Sequence, residues 1–213
     1  MRARLAGLAF AAVVVVGCRH SPSPGVPRPI ERPERFTCCN LHYGSEAISD
    51  ANYWTGTKLP AGTPVRIERL TKDSVTFSTG EVTLTLEHEY GTKEESFQQY
   101  LDKVLVADDP RPRIASYVRA VRRAIANAKV ERGMTREQVL LSLGYPPMDR
   151  TASVEDREWT YWWNRSFHYK VVFDNAGKVA DVIGRPAPTA EVPIANADRP
   201  PPPPDSAKKH KKK

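Results

Sequence analysis

The sequence predicts an α+β chain in two parts, set between proline-rich ends. Three observations carry this. Short runs rich in β-branched and apolar residues, divided by turn formers, fill residues 36–109. Apolar stripes at helical spacing follow, and an alternating aromatic stretch closes the second part, residues 110–184. The ends, residues 18–35 and 185–213, hold most of the 19 prolines of a 213-residue chain and are expected to be disordered, because such composition cannot bury enough apolar surface to offset chain entropy.

Residues 1–17 come first. "RARLAGLAFAAVVVVG" sets two arginines before an apolar run that ends in small residues, the layout of a secretory signal. The run is shorter than the ~20 residues needed to span a bilayer. "VVGC", residues 15–18, resembles the lipobox of bacterial lipoproteins. That resemblance implies cleavage between Gly17 and Cys18 and acylation of Cys18, which would anchor the chain in membrane lipid. Several acyl chains, at about 0.8 kcal/mol per buried CH₂, hold firmly. Arg19 stands where an aspartate would resemble an inner-membrane retention signal, so the expected location is the outer membrane, facing the periplasm.

Residues 19–35 carry Pro22, Pro24, Pro27, Pro29 and Pro33 and read as a semi-rigid tether, about 3.1 Å per residue when extended. In the first folded part, "FTCCNLHY", "PVRIERLT", "SVTFST" and "EVTLTLE" read as strands of a small antiparallel sheet or an SH3-like barrel. Val65, Ile67 and the stem of Arg69 alternate, as do Val82, Leu84 and Leu86, so each strand offers one face to a core. Phe97, Tyr100, Leu101 and Val104 then give a helix that packs across the sheet. In "ISDANYW", Asp50 and Asn52 are expected to make local turn bonds while Tyr53 and Trp54 cover the core; Trp54 is also a candidate partner-binding residue.

In the second part, Ile114, Tyr117, Val118, Val121 and Ile125 predict one helix over "RIASYVRAVRRAIANAK". A shorter one follows. Thr135 and Gln138 fit a capping box, Met134 and Val139 a hydrophobic staple, and Gly144 with Pro146 and Pro147 ends it. Val139, Leu140 and Leu143 form its apolar face. "EWTYWWN" puts Trp159, Tyr161 and Trp163 on one face of a strand, and "FHYKVVF" does the same for Phe167, Tyr169, Val171 and Phe173. "VADVIG" completes a three-stranded meander. Trp162 and His168 fall on the opposite face, as candidate partner-binding residues or as groups covered by the first part.

Gly133–Thr135, Leu143–Pro146, Trp159–Tyr161 and the hairpin Val171–Val179, in this order, resemble the BamE (SmpA/OmlA) family. The resemblance spans about residues 113–184. It implies an α-α-β-β-β sandwich and a lipoprotein of the outer membrane's inner leaflet that assists the insertion of β-barrels through contacts with an envelope protein. The preceding β-rich part and the long tail depart from the family's simplest members.

Charge narrows the partners further. Of the formal +7, Arg2 and Arg4 leave with the signal; Lys208, Lys209, Lys211, Lys212 and Lys213 against Asp205 hold +4, so residues 18–204 stand at +1. A near-neutral body with a basic tip excludes a nucleic-acid-binding domain. Those five lysines suit the anionic groups of peptidoglycan or lipid A, each worth about 1 kcal/mol near such a surface. Cys38 and Cys39 are open to a vicinal disulfide, pairing with another chain, or burial as separate thiols, the last favoured because a strand would send them to opposite faces. No H-E-x-x-H, G-x-S-x-G or phosphate-loop motif occurs, and His42 has too few ligands near it for zinc. The remaining catalytic set, a cysteine with His42, His88 or His168, lacks a helix N-terminus to lower the thiol pKa. No catalytic residue, metal or cofactor is expected.

Overall fold

The computed structural model describes residues 35–184. The leader, Gly17, Cys18, the tether up to residue 34, and the tail with its five lysines lie outside the described residues.

The first part contains β1 (Arg35–Thr37), β2 (Leu41–Tyr43), β3 (Ala47–Ser49), β4 (Thr57–Leu59), β5 (Pro64–Leu70), β6 (Ser74–Ser78), β7 (Thr83–Glu87), α1 (Phe97–Val104) and β8 (Leu105–Val106). Six of these strands form one sheet in the order β3-β7-β6-β5-β1-β8, and β2 pairs with β4. The order does not close on itself, and all its pairs are antiparallel except β3 beside β7. The alternating residues make the core: Val65, Val75, Phe77, Leu84 and Leu86 are fully buried, and α1 adds Phe97, Tyr100, Leu101 and Val104. A bulge between Ile67 and Arg69 shifts the register of β5. Beyond a bulge the inward and outward positions exchange, so Arg69, expected to lay its stem on the core, is exposed.

The second part contains α2 (Arg111–Ser116), α3 (Arg119–Ala126), α4 (Arg136–Leu143), β9 (Glu158–Trp162), β10 (His168–Phe173) and β11 (Val179–Ile183), with the strands in the order β11-β10-β9. The single helix expected over 113–129 is two. Tyr117 and Val118 adopt extended ψ angles of 158° and 152°. Tyr117 instead donates its hydroxyl to Glu137, and Val118 is exposed. Phe167 likewise lies outside β10 and is 60% exposed, not part of the inner face. Trp159, Tyr161, Tyr169, Val171 and Phe173 form that face and pack against Val121, Ile125, Met134 and Val139.

Helix α4 begins as the sequence predicts. Thr135 accepts from the Gln138 backbone, and the Gln138 side chain accepts from the Thr135 N–H. Met134 and Val139 are fully buried. Leu141 is buried while Leu140 is only half-buried, because α4 is covered on two sides, by the three-stranded sheet and by the first part. Gly144 ends it at φ +80°, where an added Cβ would stand 2.7 Å from the Asn52 side-chain nitrogen. Replacing it by alanine combines a disfavoured backbone with a clash at a buried amide, so Gly144→Ala is expected to lose about 3 kcal/mol, read as a shift of the urea midpoint.

Candidate binding surface at the seam of the two parts

A helix leaves its last four carbonyls without partners. The carbonyl ends of α3 and α4 both face the first part, which supplies donors to them. Asn40 sends its side-chain amide to Ile125 O (2.6 Å) and Ser142 O (3.0 Å), and its backbone N–H to Leu141 O (3.1 Å). Asn52 donates to Leu143 O (2.8 Å) and to Asn40 O (3.0 Å), while accepting from the His42 N–H (2.7 Å). Lys58 donates to Ala126 O, a cation placed where the helix dipole favours one. Asp50 and Asn52 were expected to bond locally. Apart from a 3.4 Å contact of Ser49 Oγ with Asp50 Oδ1, their side-chain partners lie on other elements of the fold.

The aromatic residues extend this seam. Trp54 stacks on Trp163 with ring centres 4.0 Å apart and donates its indole N–H to Ala128 O (2.8 Å). Backbone N–H groups of Trp54 and Thr55 donate to Trp162 O and Trp163 O, so this loop covers the β9 edge. Trp162 meets Tyr53 edge-on at 6.5 Å, His168 at 5.4 Å and the Arg150 guanidinium at 5.7 Å. Trp54 is thus an internal strut and Trp162 is half covered by the first part, whereas His168 is exposed. Beside His168 the outer face of the sheet carries Lys170, paired to Glu158 at 2.7 Å, and the exposed Ile183 opposite it in register.

Two buried polar centres lie in the first part. Asp50 Oδ2 accepts from the backbone N–H groups of Glu89 and Tyr90 and stands 2.6 Å from His88 Nδ1. His88 Nε2 faces Glu95 O at 3.2 Å and its ring stacks on Tyr100. A carbonyl only accepts, so Nε2 carries a proton. Burial pushes the Asp50 carboxyl up, and the donors from Tyr90, His88 and Glu89 oppose that rise.

His42 is a simpler case. Burial holds its imidazole at about 4, below the ordinary 6.5, with Asn52 opposing and Lys58 adding to the effect. The unfolded chain therefore binds a proton first as pH falls. Stability is complete above about 6.5 and is lost towards about 4, by about 3 kcal/mol in all. His42→Gln is expected to remove that part of the slope when urea midpoints are compared across this range.

Cys38 and Cys39 form a disulfide with each other. The expectation of separate thiols on opposite strand faces fails because β1 ends at Thr37: the Cys38 N–H turns to Val104 O, and Asn40 is drawn to α4. The pair lines a groove of about 690 Å³ with Lys103, Leu140, Leu141 and Tyr145. With the sulfurs joined, His88 on Asp50 and His42 buried, no free thiol is set beside a histidine among the described residues. Nor is any group of three or more metal-ligating side chains assembled among them.

The helix pair and meander now have a counterpart among known families. Residues 123–183 match the family described as the outer membrane protein assembly factor BamE domain. Residues 123–183 form a BamE-like domain. No curated protein and no solved structure matches the chain. The match opens inside α3 and closes at the end of β11, so α2 and the first part's donors to α3 and α4, Asn40, Asn52 and Lys58, lie outside it. Asn40 and Lys58 were missed by sequence reasoning, since nothing in an asparagine's neighbours tells which distant carbonyl it caps.

Proposed function

We propose that this chain is a lipid-anchored envelope protein that binds another envelope protein through its BamE-like domain and assists outer-membrane β-barrel assembly. The family match over residues 123–183 carries this reading. The surface offered is the outer sheet face around His168, Lys170 and Ile183, bordered on that same face by Trp162, whose indole Arg150 and Tyr53 cover. Acylated Cys18, cut after Gly17, would place it at the inner leaflet of the outer membrane.

The test is crosslinking in intact cells from a photoreactive residue at position 168 or 170, followed by purification of the lipidated protein and identification of its companions. Recovery of barrel-assembly components from these positions, and not from one at exposed Leu70 on the first part, is the expected result. Recovery of peptidoglycan or lipid A alone, lost on removing Lys208–Lys213, would make the chain a structural tether instead.

A further inference from the structure

A second groove, of about 630 Å³, lies at the far end of the same seam. Its walls bring together Tyr43 and Tyr53, the carboxylates of Glu87 and Glu89, and the β9–β10 turn at Arg165. Both residues are half-buried and line the groove. The Tyr53 hydroxyl is held 2.9 Å from that of Tyr90, and the Arg165 guanidinium stands 6.0 Å over the Tyr53 ring. Glu89 accepts from Ser49 Oγ, and neither Glu87 nor Glu89 has a cationic partner within salt-bridge distance among the described residues. The groove beside the disulfide differs. There Asp102, Asp109 and Glu137 already pair with Arg35, Arg111 and Arg113, which leaves Asp108 as the one lining carboxylate outside these ion pairs.

We infer that the chain's own segment 200–213, "PPPPPDSAKKHKKK", docks in this groove, prolines on Tyr43 and Tyr53 and lysines on Glu87 and Glu89. Aromatic-lined grooves take proline-rich segments because such segments lose little conformational entropy on binding, and unpaired carboxylates beside the rings complement flanking lysines. The path of the chain favours this occupant. β11 runs antiparallel to β10 with Ile183 opposite Lys170, so the chain passes Gly184, beside His168 O, heading for the β9–β10 turn that walls the groove. Residues 185–199, at up to about 3 Å each, are ample to bring Pro200 back over it. Docking would hold the lysines off anionic envelope surfaces until a competitor releases them.

Zero-length carbodiimide coupling on the full chain tests this, since it joins only amines and carboxylates already in contact. The experiment mixes unlabelled and ¹⁵N-labelled protein, so that links within one chain are distinguished from links between two. Expected are links from Lys208 or Lys209 to Glu87 or Glu89 within one chain, lost in the Tyr43→Ala/Tyr53→Ala variant and weakened by salt. That variant keeps both carboxylates, and its far-UV circular dichroism shows whether it is folded. A second variant, Pro200–Pro204 to serine, leaves the folded part untouched and is also expected to lose them. Links scattered over many carboxylates, links only between different chains, or links that survive the proline replacements would overturn the proposal.

Discussion

Asn40→Ala is expected to lower the unfolding free energy of the whole molecule by about 3 kcal/mol. Two donors and one acceptor disappear from a residue that is 2% exposed. Ile125 O keeps the Ala128 N–H, so the loss falls mainly on Ser142 O, left without the amide donor that reached it, and on Ala61 N, whose acceptor was Asn40 Oδ1. Leaving such groups unpaired costs about 1–3 kcal/mol each. Urea unfolding followed by tryptophan fluorescence reads it, since Trp54 and Trp163 stack across the seam. Asn40→Asp is a sharper comparison: it keeps the acceptor for Ala61 N but turns a carboxylate oxygen towards two carbonyls, so it is expected to be at least as damaging.

Asp50→Ala is expected to cost still more, about 3–5 kcal/mol, because removing one member of a buried pair strands the other. His88 Nδ1 and the N–H groups of Glu89 and Tyr90 would all face an apolar gap. The side chains of Asp50 and His88 are each 3% exposed, so water cannot replace the carboxylate without opening the fold. Asp50→Asn, which retains one acceptor oxygen, is expected to fall between the two, and Glu81→Ala, at an exposed position in the turn before β7, should change stability by less than about 0.5 kcal/mol. Thermal unfolding of the four proteins at one pH orders them. Equal midpoints for wild type and Asp50→Ala would show that the pair contributes nothing to the fold.

Local order was legible wherever neighbouring residues decide it. The Thr135–Gln138 capping box, the Val65 and Leu84–Leu86 alternation and the α1 stripe depend on residues a few positions apart, and the structure reproduces them. The failures share a cause. The split of the 113–129 helix, the turn of Cys38–Cys39 and the reach of Asp50 and Asn52 all answer to partners far along the chain. Tyr117 leaves the helix for Glu137, and the strand of Thr37 stops where Asn40 is claimed by α4. The candidate surface was half legible. Alternation put Trp162 and His168 on the outer face, but that Tyr53 and Arg150 would cover the indole and leave the imidazole exposed follows only from packing.

The β-rich part caps the BamE-like domain, so that neither stands as a unit without the other. Native-state hydrogen exchange on the full chain tests it most directly, through the slowest amides of β6 at Val75 and Phe77 and of β10 at Tyr169 and Val171. One opening free energy is expected for both sets, falling together in Asn40→Ala. Separate free energies, or a fall confined to one sheet, would mean two independent domains that merely touch.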